Sequence, residues 1–168
     1  MGSRVRHGVP LLLVAFFLVG CETGVPTTEV AGLYYNLGNA YFELNEFGSA
    51  VTAYLNALEL DSKLPQAGYN LARVYIESGD VDKGVTQLEE LLAEDPENSV
   101  ILSTIGWAYY LLNDYESSYE VYRRILDRTP SDENGLYNAA VVAWLLDAKT
   151  ESLAYYQRLY AESGDDEI

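Results

Sequence analysis

The chain has 168 residues, with 10 Lys and Arg against 26 Asp and Glu and a net charge of −16. That length holds one domain or a short repeat array, and an apolar content of 49% is enough for a core. A polyanion of this strength does not neutralise phosphates, which excludes nucleic acid as a partner; a single Cys excludes an internal disulfide and a multi-cysteine zinc site.

Residues 1–20 read as an export leader and are set aside from the fold. Arg4 and Arg6 precede an apolar run from Leu11 to Val19. A membrane-spanning helix needs about 20 apolar residues, so this run is too short for a permanent span. It ends in Leu18-Val19-Gly20-Cys21. This tetrapeptide resembles the lipobox of bacterial lipoproteins, in which a signal peptidase cuts before the cysteine and the cysteine takes the lipid. The resemblance implies lipidation of Cys21. The plainer alternative is an ordinary signal peptide followed by an incidental cysteine. N-myristoylation fits less well, because Arg6 stands where that motif takes Ser or Thr. Cleavage would remove Arg4, Arg6 and His7, leaving eight Lys and Arg, all 26 acids and no histidine.

Glu22 to Val30 carries Gly24 and Pro26 and no periodicity, so residues 21–30 are predicted to be the acylated cysteine and a tether. A tether of this length reaches at most about 30 Å and would keep the folded part close to a membrane. Enterobacterial lipoproteins retained in the inner membrane carry Asp after the cysteine. With Glu22 in that place, the resemblance implies the outer membrane, facing the periplasm.

From residue 31 one pattern is written four times. Tyr34-x2-Leu37-Gly38-x2-Tyr41 recurs 34 residues on as Gly68-x2-Leu71-Ala72-x2-Tyr75. It recurs again as Leu102-x2-Ile105-Gly106-x2-Tyr109 and Leu136-x2-Ala139-Ala140-x2-Ala143. A second pair follows in phase: Ala50/Tyr54, Gly84/Leu88, Ser118/Tyr122 and Ser152/Tyr156. Pro96 and Pro130 close two of the units, with Ser62 and Gly164 in the same place in the others. The pattern resembles the tetratricopeptide repeat. The resemblance implies an all-α, right-handed helical-hairpin solenoid of four repeats, 31–64, 65–98, 99–132 and 133–164, followed by an acidic tail over 165–168.

The residues support that reading independently. Each unit holds two apolar stripes of helical period. They are broken near Asn45-Glu46, Gly79-Asp80, Asn113-Asp114 and Asp147, where Asp and Asn are expected to cap the second helix. Where the two helices of a unit cross, every residue is small: Gly38, Ala72, Gly106 and Ala140 on the first, Ala50, Gly84, Ser118 and Ser152 on the second. Tyr and Leu are expected to fill the space around each crossing, which accounts for most of the 15 tyrosines.

The fourth unit departs from the pattern. Val141 and Trp144 are expected to crowd its first helix, and Ala143 replaces the usual Tyr. No polar capping helix follows in this sequence. Leu153, Tyr156 and Tyr160, at i, i+3 and i+7, are therefore expected to form an exposed C-terminal contact face for a partner or a homodimer.

Chemistry is poorly provided for. Without His or a free thiol there is no Ser-His-Asp or Cys-His constellation and no His/Cys metal site. Glu89-Glu90, Glu94-Asp95-x-Glu97 and Asp165-Asp166-Glu167 read as solvated helix ends and turns. The chain is expected not to be an enzyme and to carry no cofactor beyond the covalent lipid. By analogy with the family, the first helices line a groove. Its columns would be Tyr35/Tyr69/Ser103/Tyr137, Asn36/Asn70/Thr104/Asn138, Asn39/Arg73/Trp107/Val141 and Phe42/Ile76/Tyr110/Trp144. Asn carries both donor and acceptor, so the ladder Asn36, Asn70, Asn138 is expected to pair with a peptide backbone. Arg73 is the groove's sole cation, and the net charge favours a basic partner. The resemblance implies an adaptor or scaffold for envelope assembly that binds peptide segments, with a dedicated pilotin-like subunit of a type IV pilus or secretion machine as the rival.

Overall fold

The computed structural model describes residues 26–163. The leader, Cys21, most of the tether and the acidic tail lie outside the described residues. Within them the chain forms eight helices: α1 (Thr27–Glu43), α2 (Phe47–Leu60), α3 (Pro65–Glu77), α4 (Val81–Glu94), α5 (Ser99–Leu111), α6 (Tyr115–Arg128), α7 (Glu133–Leu145) and α8 (Lys149–Ser163). Successive helices pair into four hairpins, and each hairpin packs on the next to make a solenoid. One boundary moves. Thr27 to Val30 are the first turn of α1 rather than the end of a tether, because the Pro26 carbonyl accepts the N–H groups of Glu29 (2.9 Å) and Val30 (3.1 Å).

The caps also differ from expectation. Asp114 does cap its helix, its carboxylate accepting the Ser117 N–H at 3.1 Å. Glu46 and Asp80, at the same place in the first two hairpins, make no side-chain cap. The hairpin turns are set one residue earlier. Asn45, Asn113 and Asp147 adopt φ of 58°, 60° and 59°, and Gly79 adopts 94°. Asn, Asp and Gly tolerate this left-handed conformation best. At three of the four turns the following N–H bonds back to the carbonyl five residues earlier: Glu46 to Tyr41, Asp114 to Tyr109 and Ala148 to Ala143. This is the Schellman closure of a helix end. The side-chain caps appear mainly at the entry to first helices, where Asn98 accepts the Ile101 N–H and Asp132 the Gly135 N–H.

Small residues at the crossings permit close contact. A Cβ on Gly38 would stand 2.5 Å from the Tyr54 ring, and one on Gly106 2.8 Å from that of Tyr122. In the last two hairpins a buried serine hydroxyl bridges the crossing: Ser118 donates to the Gly106 carbonyl and Ser152 to that of Ala140, both at 2.8 Å. Three hydrophobic cores follow along the axis. Each is built mainly from a second helix and the first helix of the next hairpin: Tyr54 and Ala57 with Leu71 and Val74, Leu88 with Ile101 and Ile105, Tyr122 and Ile125 with Leu136 and Ala139. Between hairpins, Arg124 donates to the Pro96 carbonyl, Arg128 pairs with Glu97 at 2.8 Å, and Arg158 donates to the Pro130 carbonyl at 2.6 Å.

Candidate functional site

The first helices α1, α3, α5 and α7 share one face of the array, and three recesses follow one another along it. The first lies where the ends of α3 and α5 meet the end of α4. It holds about 560 Å³ and is lined by Tyr35, Gln66, Tyr69, Asn70, Glu94, Asp95, Asn98 and Val100, among others. Tyr69 and Val100 continue into a polar stretch with Ser103, Thr104, Asp132 and Asn134. The third recess, about 210 Å³ between α5 and α7, is lined by Trp107, Tyr110, Tyr122, Tyr137, Asn138, Val141 and Val142. One end is therefore aromatic, amide-rich and acidic, and the other is aromatic and apolar.

The acids were not foreseen as site residues. Glu94 and Asp95 close α4 and, in sequence, look like any solvated turn. The hairpin geometry brings them beside Tyr35 and Tyr69. Asn98, which caps α5 and donates to the Asp95 carboxylate at 3.1 Å, fixes the end of α4 at this place, and no local pattern in the sequence marks it.

The asparagines are not equivalent, which corrects the idea of a uniform ladder. Asn36 is exposed and lines none of the three recesses. Asn70 donates through Nδ2 to the Asn39 carbonyl oxygen at 2.9 Å and to the Tyr35 hydroxyl at 3.5 Å. Asn39 also accepts the Tyr54 hydroxyl at 2.7 Å. Burial pushes the Tyr54 phenol up to about 12, so it remains a donor at neutral pH. Asn39 and Asn70 thus join the first two hairpins, and Tyr69 with Thr104, 3.1 Å between hydroxyls, joins the next two. Asn138 is half-buried and lines the apolar recess.

Other expected groove residues are engaged elsewhere. The Arg73 guanidinium lies 5.1 Å from the Phe42 ring centroid and 3.4 Å from the Glu77 carboxylate, so its charge is already matched. Ile76 is buried against Gly84 rather than lining the groove, because only glycine on α4 leaves room for its branch. Trp144 does not crowd α7. It is exposed, with the Lys149 ammonium 5.8 Å from its ring. Leu153, Tyr156 and Tyr160 lie together on α8 with Gln157 and Leu159, and Tyr156 meets Tyr137 edge-on at 6.4 Å. Among the described residues no three potential metal ligands converge, and no helix is long and apolar enough to cross a membrane.

Family models match most of the repeat region. The model described as TPR repeat covers residues 38–79, and that described as tetratricopeptide repeat covers 69–133 and 103–167. Over 99 residues, 59% of this chain, the sequence is 33% identical to BBSome complex member bbs-4 of Caenorhabditis elegans. The chain spans about a fifth of the length of that relative, 21%. It is 26% identical over 105 residues to a lipoprotein of Treponema pallidum, covering 62% of this chain and 54% of that one. A solved structure of MamA from Desulfovibrio magneticus, from its residue 41 to the end, superposes with a TM-score of 0.72 at 19% identity, over 82% of this chain and 78% of that one. At that identity the likeness is one of fold.

Proposed function

The chain belongs to the tetratricopeptide repeat family, and from that premise we propose that it is a membrane-anchored interaction scaffold whose first-helix groove holds an extended basic segment of a partner protein. The observation that carries this reading is the pairing of two unlike recesses on one face. Glu94 and Asp95 beside Tyr35 and Tyr69 suit a lysine or arginine, through charge and cation–π contact. Trp107, Tyr110 and Tyr137 suit an aliphatic or aromatic side chain further along the same segment. The net charge of −16 steers basic partners towards this surface. A groove with one acidic, aromatic recess and one apolar recess is suited to holding a protein segment.

Peptides enriched from a random display library on the purified protein test the groove. Expected are sequences with spaced Lys or Arg next to an apolar residue, weakened by added salt. Glu94→Lys with Asp95→Lys, and separately Trp107→Ala, should each lower affinity about tenfold or more, with circular dichroism confirming that the array is intact. Enrichment of acidic or featureless peptides, or binding that neither change affects, would sink the reading.

The anchor rests on Leu18-Val19-Gly20-Cys21 and on the lipoprotein relative. On this reading the chain sits in a bacterial envelope, at the outer membrane facing the periplasm, and serves envelope assembly. Cys21→Ser should move the protein from the membrane to the soluble fraction or leave it as uncleaved precursor. Wild-type protein that incorporates no labelled fatty acid would end the anchor proposal without touching the groove. Pull-down from the native envelope separates a general adaptor, with several unrelated partners, from a pilotin-like subunit held in one stoichiometric complex.

A further inference from the structure

We propose that the two ends of the array are complementary and that copies of this chain stack head to tail, α1 of one copy docking on α8 of the next. The period of 34 residues makes the argument quantitative, because each end residue has counterparts inside the array. Leu33 is 63% and Leu37 42% exposed. Their counterparts on α3, α5 and α7, Ala67, Ile101 and Gly135 for the first and Leu71, Ile105 and Ala139 for the second, are all buried. Ala40 is exposed where Val74, Ala108 and Val142 are buried. At the other end, Tyr156 is 40% exposed, against 0%, 0% and 2% for Tyr54, Leu88 and Tyr122. Leu153 is 58% exposed where Val85 is buried and Val51 and Tyr119 are half-buried.

These two faces are the halves of one junction. Inside the chain the equivalent surface of each second helix is covered by a first helix: α3 covers α2, α5 covers α4 and α7 covers α6. The occupant that fits α8 is therefore a first helix with an apolar back, and α1 presents one. A tail-to-tail pair of α8 helices would cover one face and leave Leu33 and Leu37 in water, whereas head-to-tail contact covers both. Leu33, Leu37 and Ala40 face Leu153, Tyr156 and Leu159, with no charge in either set. Repulsion between two chains of −16 thus comes from surrounding surfaces and is screened by salt. Such a heterologous contact does not close at two copies; it continues into a ring or a fibre. The inference does not depend on what the groove binds.

Sedimentation velocity on the protein as cells make it, purified in mild detergent, is the test. Species beyond the dimer should grow with concentration and with added salt, the opposite of the salt effect on a basic ligand. A head variant, Leu33→Glu with Leu37→Glu, and a tail variant, Leu153→Glu with Tyr156→Glu, should each be monomeric. Mixed one to one they should form a dimer and stop, since each retains one working end. Circular dichroism checks folding, and Leu33→Ser with Leu153→Ser as separate chains form a milder second pair. The proposal is overturned by a wild type that stays monomeric at high micromolar concentration, by self-association that the head variant retains, or by folded variants that fail to pair when mixed.

Discussion

Tyr54→Ala should destabilise the array by about 3–5 kcal/mol and lower its melting temperature by roughly 10 °C. Tyr54 is fully buried, its ring fills the space over Gly38, and it belongs to the core that joins the first hairpin to α3. Truncation removes the ring from that core and leaves a cavity that α1 and α3 cannot both close. The hydroxyl contributes separately. It donates to Asn39, which also accepts from Asn70, so Tyr54→Phe keeps the ring and still leaves Asn39 one donor. That change should cost only about 1 kcal/mol. Urea titrations of the two variants distinguish ring from hydroxyl. Equal losses would mean that the polar network, not packing, holds the first junction.

Gly84→Ala should cost about 1–3 kcal/mol although it adds a single methyl group. Its Cβ would lie 2.4 Å from Ile76 Cγ1 and 2.8 Å from the Ala72 carbonyl oxygen. The first contact needs a buried side chain to turn, and the second needs two helices to separate. The crossings themselves show why the cost is confined to this hairpin. Ala50, Ser118 and Ser152 occupy the same position in the others, opposite Gly38, Gly106 and Ala140. Only the second hairpin sets a glycine against the buried branch of Ile76. Thermal unfolding of Gly84→Ala in parallel with Gly48→Ala, where an added Cβ meets nothing within 4 Å, isolates the clash from the change in chain flexibility. Similar shifts for the two would show that close approach at this crossing is dispensable.

The repeat itself was legible because it is written in phase: small residues at the crossings and Leu or Tyr at fixed offsets mean the same thing in every unit. The local errors arise where one residue type serves two purposes. Asn and Asp at the hairpin turns signal a cap, but Asn45 and Asp147 serve through their left-handed backbone. A groove column is a first-order description, and individual side chains leave it when a neighbour offers better terms. Ile76 turns into the space above Gly84, and Asn39 and Asn70 satisfy each other across the first junction. Glu94 and Asp95 were illegible for another reason. Their role depends on where the end of one helix lies relative to the next hairpin, a tertiary relation without a local pattern.

The arginine contacts between hairpins give the array an uneven mechanical character. Arg124 bolts the third hairpin to the Pro96 carbonyl and Arg158 bolts the fourth to that of Pro130. One period earlier the same position is Glu90, whose side chain accepts from Gln87 Nε2 at 3.2 Å within its own helix. The first junction is stitched instead through Asn39 and Asn70, on the side where α1 and α3 meet. A pull applied near Thr27 therefore loads a joint held by apolar packing and amide hydrogen bonds, without the arginine–carbonyl contacts of the later ones. A segment lying against Tyr35 and Asn70 thus rests on the one joint that the amide pair, rather than an arginine, ties together.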